Sequence, residues 1–350
     1  MGGIPGAAFT VKQCLVVLAA LFAVISSTAW GRKLSDPEST SMAERHERWM
    51  EQHGRVYRDD AEKQLRFDIF KSNVEFIDSF NAAGKRKYSL GVNQFADMTN
   101  EEFKASHTGF KNMIAARPIR KGGFRYENVS AMPTSVDWRT EGAVTPVKDQ
   151  GQCGCCWAFS AVAAMEGITK LTSGKLISLS EQELVDCDVH GEDQGCNGGL
   201  MDDAFEFIIS NRGLATEAKY PYQATDGTCS KQKSSPSAAA ISGYQDVPAD
   251  DEAALRKAVA HQPVSVAIEA SGSAFQFYNG GVFTGDCGTD LDHGVTAVGY
   301  GEASDGSKYW LVKNSWGAGW GEKGYIRMER DVDAKEGLCG IAMQASYPTA

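Results

Sequence analysis

The sequence predicts an α+β fold built as two lobes, with a separate helical segment ahead of it. Three observations predict this. In residues 132–350 helical patterns come first and strand-like alternation follows, an order that segregates helices from sheet. Eight of the nine cysteines, at 153, 155, 156, 187, 196, 229, 287 and 339, lie in that second segment, and the ninth, Cys14, lies near the N-terminus. Charge divides near residue 131 as well. Residues 132–350 carry 16 Lys+Arg against 30 Asp+Glu, a net of −14, so the −10 of the whole chain leaves +4 for residues 1–131. A basic segment ahead of an acidic one suggests that the two bind each other. The 350 residues suffice for one large or two medium domains with a real core. A composition of 42% hydrophobic and 23% charged residues excludes a disordered or fibrous chain, and the net charge argues against a nucleic-acid partner.

Residues 1–30 read as a secretory signal. Lys12 precedes an apolar run from Cys14 to Ile25, small residues follow, and cleavage is expected near Ala29 to Gly31. The run of 12 residues is too short for a membrane span, which needs about 20. The alternative is a short N-terminal anchor; no other stretch could cross a membrane. Removing the signal removes Cys14, and an oxidising compartment would pair most of the other eight cysteines.

Residues 31–131 form the next segment. "SMAERHERWMEQHGRVY" is helical in pattern, and a second helix is expected over 61–81. There Glu62, Arg66, Phe70, Asn73, Ile77 and Asn81 draw one stripe along the helix. Such a stripe is ordinarily a packing face. "YSLGVNQFADMT" reads as a short strand with a turn. Residues 105–131, rich in Lys, Arg and Gly, read as an extended, exposed and cleavable linker. Asn128-Val129-Ser130 within it is a glycosylation acceptor sequence.

Residues 132–350 form the last. One helix starts at Cys155 or Cys156 and runs to about Leu171. Another starts at Ser180, where "SEQE" spells a capping box with Glu183. A third covers Leu200 to Asn211. "PVSVAIEA", "HGVTAVGYG", "KYWLVKNS" and "KGYIRMER" then read as strands separated by Gly-rich turns.

"QCGCCWAFS" places three cysteines within four positions at the start of the first of these helices. A cysteine there is favoured as thiolate, because first-turn N–H groups point at it. Covalent catalysis by a thiolate needs a base, a group that orients the base, and donors for the oxyanion. Cys156, His293, Asn314 and Gln150 are the candidates. Taken alone, His293 could be an ordinary core histidine in a strand. A rival set, Cys153, Cys187, His190 and Cys196, has spacing that permits zinc, which an oxidising compartment disfavours.

"QGQCGCCWAFS", "CNGGLMDDAF", "DHGV", "KNSWGAGWGEKGYIRM" and "CGIA…SYP" occur in one order, and together they resemble the papain-like cysteine proteases of the cathepsin L-like branch. The first segment resembles that family's inhibitory propeptide, through the stripe above and through Gly91, Asn93, Phe95 and Asp97. The resemblance covers residues 42–350. It implies a papain-like fold with a helical left lobe, a β-barrel-like right lobe and an N-terminal helical propeptide. The domains would be 1–30 signal, 31–131 propeptide and 132–350 peptidase.

By the same resemblance Cys156 is the nucleophile, His293 the acid/base, Asn314 its orienter and Gln150 the oxyanion donor, with Trp316 covering the Asn314–His293 bond. Where the family usually has Ser or Ala, this chain has Cys155, which puts two thiols side by side. The implied disulfides are Cys153–Cys196, Cys187–Cys229 and Cys287–Cys339. Substrate would pair with the "CNGG" loop at Gly198 and Gly199, and Asp292 joins the binding set. The pocket for the second residue before the scissile bond would be lined by Leu200, Met201, Ala267, Leu291, Gly294 and Gln344, a largely apolar set suited to Leu, Phe or Val.

No cofactor or metal is implied. Expected partners are protein and peptide substrates, the propeptide and cystatin-like inhibitors, around a monomer. A vacuole or lysosome is the expected destination, and the pattern looks most like plant senescence-associated enzymes. A catalytically dead binding or storage relative would lack the nucleophile or histidine, and neither is missing. An inhibitor built on the propeptide fold would not need the second segment.

Overall fold

The structure is a computed structural model that describes residues 41–350 apart from Lys85, residues 112–122, His190 and Asp286, together with Gly2. The expected signal lies outside the described residues. Among the described residues no helix is long and apolar enough to cross a membrane. The chain divides into two compact units, residues 1–56 and 57–350.

In the first unit, helix α1 (Met42–His53) begins at a capping box between Ser41 and Glu44. It stops short of the expected Tyr57 because Gly54 turns into the left-handed conformation at φ 61°.

In the second unit, helix α2 (Asp60–Ala82) starts where the Asp59 carboxylate accepts the Glu62 N–H. Its stripe does more than pack. Phe70 and Ile77 are buried, but Arg66, Asn73 and Asn81 bind the backbone that follows. Asn73 Nδ2 donates to Ala96 O and Met98 O, both at 2.9 Å. Asn81 exchanges two hydrogen bonds with Leu90. Arg66 reaches Asp97 O and the Glu102 carboxylate. Asn93 Nδ2 then donates to Gln276 O, joining this segment to the helical turn ahead of Tyr278.

Helix α3 (Asn100–His107) follows, capped by Thr99 and Glu102. It corrects the linker reading: residues 106–110 are not exposed, and His107 and Phe110 are both buried. Further on, Asn128 sits exposed in a turn.

Residues 132–350 hold two apolar cores. One surrounds α4 (Cys156–Ser173), α5 (Glu181–Cys187) and α6 (Met201–Ser210), with Trp157, Met165, Leu184, Phe205 and Ile208 inside. The expected capping box at α5 is half formed. Ser180 accepts the Glu183 N–H, but the Glu183 carboxylate binds Ala215 N and Asn211 instead of closing the box.

The second core lies in the sheet and against α7 (Glu252–Val259). The strands are β1 (Tyr88–Leu90), β2 (Val136–Asp137), β3 (Gly243–Asp246), β4 (Val264–Ile268), β5 (Tyr278–Phe283), β6 (His293–Glu302), β7 (Lys308–Lys313), β8 (Tyr325–Glu329) and β9 (Ala345–Thr349). Their order is β1-β5-β8-β7-β6-β4-β9-β3, with β2 also on β6. Pairs are antiparallel except β5–β8. Strand β1 belongs to the first 131 residues and forms the edge against β5.

Strand β6 is buried along almost its whole length rather than on alternate residues. Helix α4 lies against it: Ser160 Oγ donates to Val295 O, and Thr296 Oγ1 and Ser265 Oγ donate to Ser160 O. This contact between helix and strand brings residue 156 toward residue 293.

Candidate active site

Cys156 is the first residue of α4 and Cys155 its N-cap, with no side chain capping the helix. The Ala158 N–H already donates to Cys155 O, and the Cys156 and Trp157 N–H groups face the Cys156 sulfur. Gly294 N donates to Cys156 Sγ at 3.3 Å, so the sulfur lies against the start of β6, where His293 is the first residue.

The histidine tautomer follows from hydrogen bonds. Ser315 N donates to Asn314 Oδ1 at 2.8 Å, which identifies that atom as the amide oxygen. His293 Nε2 lies 2.8 Å from the same oxygen and must donate to it. In the neutral ring Nδ1 is then bare, and it is buried without a hydrogen-bond partner. Trp316 stacks on the imidazole at 4.5 Å and 24°, closing off water.

Gln150 is locked on all sides. Its N–H donates to Ser315 O, its Oε1 accepts from Ser315 Oγ at 2.5 Å, and its carbonyl accepts the Tyr222 hydroxyl at 2.7 Å. Its Nε2 donates to Cys153 O and, at 3.3 Å, to His107 O.

The two adjacent cysteines are not equivalent. Cys155 Sγ lies 2.9 Å from the Tyr222 hydroxyl, which already donates its proton to Gln150 O. Cys155 must therefore be the donor and stay a thiol, and burial pushes its pKa up.

The segment after α3 covers the site. His107 O accepts from both Gln150 Nε2 and Trp316 Nε1. Gly109 N and Phe110 N donate to Asp292 O, Gly199 N donates to Gly109 O, and Lys111 N donates to Gly199 O. Phe110 and Gly199 thus form a parallel bridge. Gly109 passes so close to Gly154 that a Cβ would fall 1.9 Å from its carbonyl oxygen. Under this cover burial pulls the His293 pKa down to about 4 and pushes Cys156 up to about 12, so both are held neutral. Asp292 is raised to about 6, again by burial.

Leu200, Met201, Ala267 and Leu291 are buried in the same apolar cluster as Phe110. A Cβ at Gly294 would meet Met201 Sδ at 3.0 Å, so this glycine is also beside the cluster. Gln344 is half-buried, and its carbonyl accepts Ala267 N. Gly198 precedes the bridge, its carbonyl accepting Gln194 N. Cys153–Cys196, Cys187–Cys229 and Cys287–Cys339 are disulfides, so three members of the rival zinc set are bonded elsewhere; His190, the fourth, lies outside the described residues.

Sequence reasoning missed Ser315, Tyr222, His107 and Phe110. Ser315 stands between two noted residues and could have been found. Tyr222 carries no local signal; only the fold brings it to the site.

Residues 132–349 match the model of the papain family of cysteine proteases, and residues 46–103 match the cathepsin propeptide inhibitor domain. The chain is 64% identical to the senescence-specific cysteine protease SAG39 of Oryza sativa subsp. indica over 98% of each chain. It is 58% identical to the senescence-specific cysteine protease SAG12 of Arabidopsis thaliana, over 93% of this chain and 96% of the other. Among solved structures it resembles a recombinant stem bromelain precursor, at 51% identity and TM-score 0.81 over 88% of this chain and 98% of that one. It also resembles the proform of the ragweed pollen allergen Amb a 11, at 48% and 0.83 over 91% and 97%. The chain belongs to the papain family of cysteine proteases and is an endopeptidase made as a zymogen, with a propeptide inhibitor domain ahead of the peptidase.

Proposed function

We propose that Cys156 is the nucleophile and His293 the acid/base of peptide hydrolysis in the mature enzyme. The observation that carries this is the fixed tautomer: with Nε2–H committed to Asn314, only Nδ1 can exchange a proton with the thiol. Once the propeptide leaves, water returns, and the helix N-terminus favours a Cys156 thiolate beside a protonated His293. The thiolate adds to the scissile carbonyl. Gln150 Nε2 and the Cys156 N–H hold the oxyanion, each donor contributing about 3 kcal/mol. His293 protonates the leaving amine, then takes a proton from the water that hydrolyses the thioester. Asn314 and Trp316 keep the ring oriented and dry.

Substrate lies along Gly198 and Gly199, with its second residue before the scissile bond where Phe110 now sits. The covering chain runs from Gln150 at His107 toward Gly199 at Phe110, whereas a substrate runs from Gly199 toward Cys156. This reversed direction accounts for how the propeptide blocks the cleft without being cut there.

The enzyme acts in protein turnover in an acidic compartment, vacuole or lysosome, reached through the signal at 1–30. The senescence-specific relatives support that role. The chain works as a monomer, is inhibited by cystatin-like proteins, and carries a glycan at Asn128. Labelling the acid-processed protein with a thiol-reactive peptide epoxide, followed by peptide mapping, tests the assignment. The label is expected on Cys156, and a label on Cys155 would overturn it.

A further inference from the structure

Behind Gly199 lies a pair of buried carboxyls that the mechanism above does not use. Asp193 is fully buried, and its Oδ1 accepts the Leu200 N–H at 2.7 Å. The same oxygen lies 2.4 Å from where a Cβ on Gly199 would be, so the backbone at Gly199 rests against this carboxyl. Asp193 Oδ2 and Asp188 Oδ2 are both buried and receive no N–H or hydroxyl, and each carboxyl acts on the other. Two carboxylates are both acceptors, so burying them side by side calls for a proton between them. The loop that carries the pair is pinned at both ends, at Cys187 to Cys229 and at Cys196 to Cys153.

We propose that Asp188 and Asp193 are positioning residues for substrate binding: sharing one proton, they hold the Gly199–Leu200 backbone in register for the substrate strand, and they release it when the proton is lost. This rests on the reading of Gly199 as the residue that pairs with the substrate backbone.

The surroundings give the sign. Burial raises both carboxyls, and the charge of Asp188 raises Asp193 further. Helix α6 turns Asp203 and Glu206 toward Asp188, adding negative charge. Lys111 donates to Glu192 O in the same loop but leaves with the propeptide. His190, also in the loop, lies outside the described residues. The proton-sharing form is thus complete in acid and is lost as pH rises through the raised pKa of the pair, at and above neutrality. The enzyme should then lose affinity for substrate before it loses its nucleophile.

The test is KM and kcat of the mature enzyme on a peptide with Leu at the second position, from about pH 5 to about pH 8.5. Wild-type KM is expected to rise about tenfold across neutrality, the equivalent of one lost hydrogen bond to a charged group, with a smaller change in kcat. In Asp193→Asn the amide oxygen still accepts from Leu200, and the amide N–H₂ donates to Asp188 with no shared proton. Its KM should stay flat at the acid value, as should that of Asp188→Asn. Asp193→Ala should raise KM about tenfold at every pH. If Asp193→Ala does not fold, the two isosteric Asn variants carry the test.

Asn variants that keep the wild-type pH dependence of KM overturn the proposal, as does an Asp193→Ala enzyme with wild-type KM at about pH 5. A substrate N-methylated at the second residue separates the two ideas. If methylation leaves wild-type KM unchanged, the Gly199 reading and this proposal both fall. If methylation raises KM and the variants do not respond, only the carboxyl pair falls.

Discussion

The Tyr222 hydroxyl donates to the backbone carbonyl of Gln150 at 2.7 Å and accepts from the thiol of Cys155 at 2.9 Å. One tyrosine therefore links Cys155 to Gln150. At position 155 a small side chain fits beside Tyr222, and the cysteine serves the hydroxyl there as a thiol.

Cys156→Ser should lower turnover by on the order of a thousandfold or more, because a serine hydroxyl does not ionise beside His293. Cys155→Ser keeps a donor for Tyr222 and should hold activity within about twofold, while Cys155→Ala leaves the hydroxyl unserved and should cost about 1 kcal/mol of stability. Peptidase assays and thermal melts of the three variants read these effects. An inactive Cys155→Ser beside an active Cys156→Ser would reverse the assignment of the nucleophile.

If the apolar residues around Phe110 form the pocket proposed above, they should set specificity. Fluorogenic peptides with Leu, Phe or Val at the second position should be cleaved on the order of 100-fold faster than those with Arg or Asp, since nothing in the pocket offsets the desolvation of a charge. Gln344→Glu should improve cleavage after Arg-containing sequences by supplying a counter-charge. Equal kcat/KM for Leu and Arg substrates on the wild-type enzyme would disprove the pocket.

Phe110 should be the anchor of inhibition. Phe110→Ala empties a buried site and should weaken the propeptide's hold by about 2–3 kcal/mol, as for other buried aromatic anchors. Intact precursor carrying this change, assayed at neutral pH before any cleavage, should show leak activity that the wild-type precursor lacks. A silent Phe110→Ala precursor would locate the hold elsewhere.

Acid should trigger maturation. The Arg66 guanidinium holds the Glu102 carboxyl below its ordinary value of 4.5, tying α2 to α3. A depressed carboxyl contributes stability above its unfolded pKa and loses it as pH falls through the folded value, so this tie fails in acid. The Lys87–Glu329 ion pair, which joins β1's neighbour to β8, is exposed and weakens with salt. Precursor moved from about pH 7 to about pH 4 should therefore be processed near residues 125–132, and Arg66→Ala should shift the onset upward. Cys156→Ser precursor should stay intact unless active enzyme is added. Equal rates at both pH values would leave the charge division between the segments without a role in activation.

Residues that act through short-range patterns were legible in the sequence. Cys156 stands at a helix start, and the 4, 4, 3, 4, 4 steps of the α2 stripe draw a helix face directly. Helix α3 is also legible, since Thr99 and Glu102 spell its capping box, although its last residues, 105–107, fall in the stretch expected to be linker. Strand β5 was not: "YNGGVF" reads as a turn, and only pairing with β1 and β8 makes it a strand. Glu183 shows the same limit. Its spacing from Ser180 announces a capping box, but tertiary partners at Ala215 and Asn211 take the carboxylate. The covering of the cleft by His107 and Phe110 depends on contacts with Gln150, Asp292 and Gly199, which no local pattern encodes.

Strand β1 has one more effect. It shields the rim of the sheet: Val282 N donates to Lys87 O, and Phe277 O accepts from Gly91 N. When the propeptide departs, these groups face water and β5 becomes an open border to which another chain could add. Asn279, Gly280 and the twisted Gly281, at φ 96°, make that border short and irregular, a poor template for such growth. The departing segment therefore takes with it the strand that covers this border, and the freed enzyme is left with three irregular residues along it.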